Sequence, residues 1–285
     1  MDKAQFDRAV AFNTRQAQQN LTTQEHVTMM AMAWQTANGL VVDGMCGNNT
    51  RASIDAEQAR LLSPPAPQPP PSIGPPGVAF FDRRPNARQA HGPGGQWPVT
   101  ARPITSVTGI CLHQTAVVLG ERIERWDTVG AHFGVTRSGR VIWLHNFDRN
   151  VAHGNGWNAG TVGIEIDGLY AGVESDPSTV WDDPSTPHRE QATPLTQETI
   201  TATLALCRWI KSEVERASGR TVNALVAHRQ SSNSRRADPG EAIWKAIALP
   251  LHAELNMSDG GIGFRLGDGR AIPEVWDPRC VGVRY

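Results

Sequence analysis

Charge imbalance, long apolar runs and closely spaced cysteines are what this sequence lacks. Its 27 basic and 28 acidic side chains leave a formal net charge of -1. No long-range field therefore gathers polyanions, which argues against general nucleic-acid binding. No stretch reaches the roughly 20 apolar residues of a membrane-spanning helix. The opening MDKAQFDRAVAFNTRQ is mixed in charge and has no apolar core of the kind a secretory signal needs. The expectation is a chain made in the cytoplasm, a monomer, without membrane insertion. Cys46, Cys111, Cys207 and Cys280 are far apart and form no CxxC. That argues against a zinc knuckle or a disulfide framework and leaves buried free thiols as the expectation.

What is present suggests two folded parts. At 285 residues the chain can hold one full-sized domain and a small one. The run SPPAPQPPPSIGPPG, residues 63–77, excludes helix and favours extended polyproline conformation, so it reads as a semi-rigid linker. Before it, Thr22 or Thr23 can cap a helix carrying Val27, Met30, Ala31 and Trp34 at helical spacing, stopped by Gly39. Asp43-Gly44 offers a turn, and Asn49 or Thr50 caps a second helix from near Arg51. The expected boundaries are a helical unit over 1–62, the linker over 63–77, a catalytic domain over 78–250 and a packed C-terminal extension over 251–285.

After the linker, ITSVTGICLHQT, AHFGVTRSGRVIWLH, TVGIEIDGLY and NALVAHRQ read as strands. Residues 196–218 read as an amphipathic helix with Thr196 as cap, Glu198 in the first turn, Ile200, Leu204, Cys207 and Ile210 on one stripe, and Gly219 as stop. The alternation predicts an α/β domain, a mixed central β-sheet flanked by helices. Gly172–Pro194 is polar and turn-rich and reads as a rim loop. The glycine-rich tail imitates a phosphate loop but lacks its lysine and its strand-to-helix setting.

Two histidines end apolar strands, His113 after GICL and His228 after LVA, and Asp238 follows in ADPG. Two imidazoles and one carboxylate are the ligand set of a catalytic zinc ion, which keeps a fourth position for water. The metal would lower the pKa of that water and polarise a carbonyl. On spacing alone, buried histidines with ordinary hydrogen bonds fit as well, and Asp238 also fits a helix cap before GEAIWKAI. Glu165, between Ile164 and Ile166, faces the opposite side of its strand from them. It reads as a general base and acid or as an exposed strand glutamate.

The flanking residues go further. Residues 104–245 resemble the type 2 N-acetylmuramoyl-L-alanine amidases, a zinc-dependent superfamily that includes peptidoglycan-recognition proteins and phage amidase-lysozymes. The matching phrases are TGICLHQTA, HFGVTRSGRVIWL, AHGNGWNAGTVGIEIDG and ALVAHRQSSNSRRADPG. The resemblance implies Zn2+ on His113, His228 and Asp238, with aspartate where the superfamily uses aspartate or cysteine and no cysteine nearby to compete. It makes Glu165 the proton carrier and puts Arg236 where a lysine commonly stabilises the oxyanion, with Arg235 as a possible substitute. Thr115, His132, His153, Trp157 and Asn158 become candidates for lining the substrate groove, with loop-stabilising roles as the alternative.

The phrase around Val42, Asp43, Gly44, Gly47, Thr50, Arg51 and Ala52 resembles the type 1 peptidoglycan-binding domain. It departs from that domain at Cys46 and at the proline run. The implied function is cleavage of the amide between N-acetylmuramic acid and L-alanine of peptidoglycan, as in a phage or prophage endolysin acting on the wall after release. A non-catalytic recognition protein and a zinc hydrolase of another stem-peptide amide are the alternatives.

Overall fold

The computed structural model describes residues 28, 31–33, 35, 36, 40–62, 74–87, 91, 92, 95, 96, 99–180 and 191–285. The expected cap at Thr22 or Thr23, the positions Val27, Met30, Trp34 and Gly39, and residues 63–73 of the linker lie outside these. The chain divides into two compact units, Met1–Pro70 and Pro71–Tyr285.

In the first unit, helix α1 (Asn48–Leu62) begins a few residues before the expected start. Gly44 takes the positive φ of 71° that the Asp43-Gly44 turn needs. Buried Gln35 ties this turn together, donating to Asp43 Oδ1 at 2.8 Å and to Thr50 Oγ1 at 2.9 Å while accepting from Gly44 N–H at 2.9 Å.

In the second unit, the strands β1 (Phe80–Asp82), β2 (Gly109–Gln114), β3 (Phe133–Val135), β4 (Val141–Trp143), β5 (Thr161–Ile166) and β6 (Ala224–Ala227) form one sheet among the described residues. Their order is β1-β4-β3-β5-β2-β6. Only β3 and β4 pair antiparallel, so the sheet is mixed, as expected. Every residue of β2 is buried, because both faces of this interior strand are covered; hence its near-continuous apolar run.

Helix α2 (Gln197–Ser218) starts at Thr196, whose hydroxyl accepts from Thr199 N–H, and ends at Gly219 in the left-handed conformation (φ 65°). Its buried stripe runs through Ala202, Leu206, Trp209, Ile210 and Val214, while Ile200 and Leu204 sit at its edge. Each buried aliphatic side chain there contributes about 1.5–3 kcal/mol relative to exposure.

Two segments depart from expectation. Part of the expected rim loop is an antiparallel hairpin, Ala171–Val173 with Asp176–Val180; residues 181–190 lie outside the described set. Residue 251 falls inside helix α3 (Leu249–Leu255), which continues a helical run starting at Glu241. The tail beyond α3 packs through turns, with Trp276 fully buried and its indole N–H donated to Gly172 O.

Candidate functional site

Strand register assembles the site. In the parallel pair β2–β5, His113 is the direct partner of Glu165. On the other side β2 pairs with β6, whose last residue, Ala227, precedes His228. Three neighbouring strands thus deliver His113, Glu165 and His228 to one end of the sheet, where open α/β sheets place their ligands. Asp238 arrives from the loop after the turn Asn233–Arg235, and its Oδ1 accepts from the backbone N–H of Gln114 at 3.0 Å. That loop is fixed in turn by the Gln114 amide, which donates to Ala237 O at 2.6 Å. Gln114 is a positioning residue that sequence reasoning missed.

Three donor atoms then converge. His113 Nδ1 lies 3.0 Å from His228 Nδ1 and 3.9 Å from Asp238 Oδ2, and His228 Nδ1 lies 3.0 Å from Asp238 Oδ2. A tetrahedral zinc with ligands at about 2.0–2.2 Å requires separations of about 3.3 Å, close to these distances.

The surrounding hydrogen bonds assign the tautomers. Thr161 O can only accept, so His153 donates to it from Nε2 (3.3 Å), which leaves Nδ1 of His153 as an acceptor. His113 must then donate its Nε2–H to that nitrogen (3.0 Å), turning a bare Nδ1 lone pair inward. His228 Nε2 lies 3.4 Å from Asn155 Oδ1, which accepts, so its Nδ1 also faces inward unprotonated. Two lone pairs and a carboxylate oxygen therefore confront each other without a proton between them. That arrangement fits a bound cation, and outer-shell partners that fix the ligand tautomer are what a metal-binding histidine needs.

Glu165 stands beside this cluster with Oε2 sealed from solvent and without a hydrogen-bond partner among the described residues. Burial first, then the Asp238 carboxylate, push its carboxyl well above the ordinary range, and Arg235 opposes them. A carboxyl raised this way suits proton transfer near neutral pH.

Arg235 is also the cation whose field reaches His113, His228 and Asp238. The expected Arg236 does not come to this place: its guanidinium lies 5.5 Å over the ring of Tyr285. Consecutive residues leave a tight turn in different directions, and Arg235 is the one whose charge acts on the cluster. The helix-cap alternative for Asp238 also falls away, since Gly240 occupies the cap position and Asp238 Oδ1 accepts from the Gln114 N–H while Oδ2 faces the two imidazoles. The expected absence of a competing cysteine is corrected too. Cys111, two residues before His113 on the same strand face, brings its sulfur within 4.8 Å of ring nitrogens of His113 and His153. Burial keeps that thiol protonated, raising it well above its ordinary value.

The groove candidates separate. His132 is fully buried, accepting from Gly163 N–H and donating to Arg149 O, and presents nothing to a groove. His153 is 5 % exposed and serves the relay to His113; Gly163 makes room for it, since a Cβ there would lie 2.5 Å from the imidazole. Asn158 holds the loop through its Oδ1, which accepts from His153 N–H at 3.0 Å and Gly154 N–H at 2.7 Å. Thr115 joins two loops, donating to Val117 O and accepting from Gly168 N–H. Trp157 is half-buried against Phe264, and its indole N–H has no partner among the described residues.

Burial also holds the imidazoles uncharged. His113 and His132 sit well below their ordinary value, and His153 and His228 are held at about 3. In the unfolded chain each titrates near about 6.5, so over that window the unfolded state binds more protons and stability is lost as pH falls. Asp238, raised to about 6 chiefly by burial, and Glu165 act in the opposite sense, because the fold favours their protonation. Four imidazoles outweigh two carboxyls. The melting temperature of chelator-treated protein is therefore expected to decline between about pH 6.5 and about pH 4; a flat profile would count against this assignment.

Comparison with known proteins adds the following. Residues 103–241 match the family model described as N-acetylmuramoyl-L-alanine amidase. Among solved structures, the chain is similar to the endolysin N-acetylmuramoyl-L-alanine amidase LysCS from Clostridium intestinale: 16 % identity, 66 % of this chain and 100 % of that one, TM-score 0.41. It is similar to peptidoglycan recognition protein SD of Drosophila at 16 % identity, covering 64 % of this chain and 97 % of that one, TM-score 0.40. A third is peptidoglycan recognition protein LE in complex with tracheal cytotoxin, at 14 % identity, 64 % and 96 % coverage, TM-score 0.39. A search of curated proteins found no match.

Proposed function

We propose that this chain, whose residues 103–241 match the N-acetylmuramoyl-L-alanine amidase family model, is a zinc-dependent hydrolase that cuts the amide between N-acetylmuramic acid and L-alanine of the peptidoglycan stem. The observation that carries the metal and the chemistry is the convergence of His113 Nδ1, His228 Nδ1 and Asp238 Oδ2, with both imidazoles turned lone pair inward and Glu165 paired to His113. Zinc held by these three would supply a Lewis acid able to polarise the scissile carbonyl and acidify water.

The chain's own groups do the rest. Glu165 takes the proton of the attacking water and returns it to the departing alanine nitrogen, general base and then general acid. Arg235 places positive charge near the carbonyl oxygen as it becomes negative. Asp238 is kept on station by the Gln114 backbone, and His113 by His153. Trp157 offers the exposed part of its half-buried ring to the substrate.

The role proposed for Arg235 separates it from its neighbour. Arg235→Gln is expected to lower kcat by about 10²–10³-fold, the usual loss for one group stabilising developing negative charge. Arg236→Gln should stay within about tenfold of wild type, since its charge lies over Tyr285. Parallel turnover assays decide between them, and equal losses would return the role to both.

In biological terms the reading is a phage- or prophage-type endolysin, made in the cytoplasm and acting on the wall after release, with the first unit as a peptidoglycan-binding module. The test is incubation of the purified chain with sacculi, with and without chelator, and mass spectrometry of the new ends. Chelator-sensitive release of stem peptides with free N-terminal alanine is expected. Cleavage elsewhere in the stem would overturn the bond assignment. Binding without new ends would make the chain a recognition protein.

A further inference from the structure

Outside the residues assigned to the reaction, the C-terminal tail holds a second convergence of metal-binding groups. Asp259, Asp277 and Cys280 are 5 %, 1 % and 3 % exposed, and a carboxylate oxygen of each aspartate and the cysteine sulfur lie within 4.8 Å of one another. His252, also buried, donates Nε2–H to Leu225 O at 2.9 Å; its Nδ1 lone pair is thereby turned toward Arg279 Nη2, 3.3 Å away.

The polar balance of this cluster is incomplete. Asp277 is satisfied, since Arg279 donates to its Oδ1 from the backbone N–H and Nε, and to its Oδ2 from Nη2 at 2.6 Å. Asp259 is not. Its Oδ1 accepts from Gly261 N–H at 2.9 Å, but its Oδ2 is sealed from solvent and has no hydrogen-bond partner among the described residues. A carboxylate oxygen shut away from water without a donor is unfavourable unless a cation meets it. Arg279 does not reach it and is itself 63 % exposed in its side chain.

We propose that Asp259, Asp277 and Cys280 form a second metal site, structural in role, that takes a divalent cation of the zinc class. The ion supplies the partner that Asp259 Oδ2 lacks. The thiol sets the class: a sulfur beside two carboxylates suits borderline ions such as zinc or cobalt over calcium or magnesium, which take oxygen alone. On binding, the Cys280 S–H bond breaks, its proton passes to solvent and the sulfur pair forms the bond to the metal. Arg279 can swing into solvent, and His252 Nδ1 then becomes available as the fourth donor.

The consequence reaches the wall of the first site. Asp259 O accepts from the Gln230 amide at 2.8 Å, Leu266 N–H donates to Gln230 O at 2.7 Å, and Phe264 packs on Trp157. The ion would clasp the end of α3, the loop 258–269 and the tail 277–280 into one piece behind His228.

The experiment uses the full chain as His228→Ala, so that the first site is disabled, and titrates it with zinc alone and with cobalt alone. One bound zinc per chain is expected, with a rise in melting temperature. Cobalt should give thiolate-to-cobalt charge-transfer absorption in the near ultraviolet that Cys111→Ser leaves unchanged. Adding Cys280→Ser removes that absorption, and Asp259→Asn removes the bound zinc without touching the sulfur. The proposal is overturned if the folded His228→Ala chain binds neither ion, or if the absorption survives Cys280→Ser and falls with Cys111→Ser. Arg279→Ala is the control for an internal counter-ion. It should leave zinc binding intact or stronger; a lowered melting temperature that zinc does not restore would show that Arg279 alone balances the cluster.

Discussion

Replacing Glu165 with glutamine is expected to lower kcat by about 10²–10⁴-fold, the usual contribution of a positioned general base, while the zinc bound per chain and the KM stay close to wild type. Glutamine keeps the size and the strand position opposite His113 but can neither take nor return a proton. The variant should melt no lower than wild type, because the native carboxylate is costly: Oε2 is sealed without a partner, and burial beside Asp238 disfavours its charge. Metal analysis, stem-peptide release and a thermal melt on one preparation give the three readouts. Loss of zinc together with activity would make Glu165 a ligand.

The second large effect is loss of the metal. His228→Ala removes one corner of the convergent triad and leaves Asp238 Oδ2 without the nitrogen 3.0 Å away. Removing an outer partner alone costs about 10–100-fold in metal affinity. His153→Phe, which ends the relay to His113, is expected in that range, and His228→Ala beyond it, with turnover falling to the no-enzyme level. Competition with a chromogenic chelator ranks the three proteins. The relay assignment is overturned if His153→Phe binds zinc as tightly as wild type. Wild type should also gain about 4 kcal/mol of stability at free zinc a thousandfold above its Kd, and that gain at this site should vanish in His228→Ala.

Much of this architecture was readable from the residues because local chemistry and tertiary fold agree. GICLHQ and TVGIEI are apolar runs of strand length, and they occupy two adjacent interior strands. Thr196 and Gly219 carry the only chemistry a helix end requires, and α2 begins and ends at them. Less was readable where a side chain's direction, and not its identity, decides its place. Arg235 and Arg236 are alike in composition; only the turn determines which guanidinium faces the cluster. His132 and His153 lie in family-like phrases, but burial assigns one to holding β5 and the other to the relay. The pairing of His113 with Glu165 is a matter of strand register, and one step of slippage would face Glu165 away. Gln114 and Asn155 carry no signal in isolation, since their roles lie in bonds to atoms distant along the chain. Cys280 read as an ordinary buried thiol for the same reason: Asp259 comes from another loop.

Those distances along the chain also dictate when the site can exist. His113 meets His228 across 115 positions and Gln114 meets Asp238 across 124. The closures that build the site are among the longest the domain makes, and long closures bear a large entropic cost before they are rewarded. A growing or truncated chain that holds His113 and Glu165 in finished strands still lacks two of the three convergent donors, His228 and Asp238. Hydrolytic competence therefore emerges as the last event of assembly, and its recovery on refolding should follow the slowest phase, so that catalysis itself reports that the fold is complete.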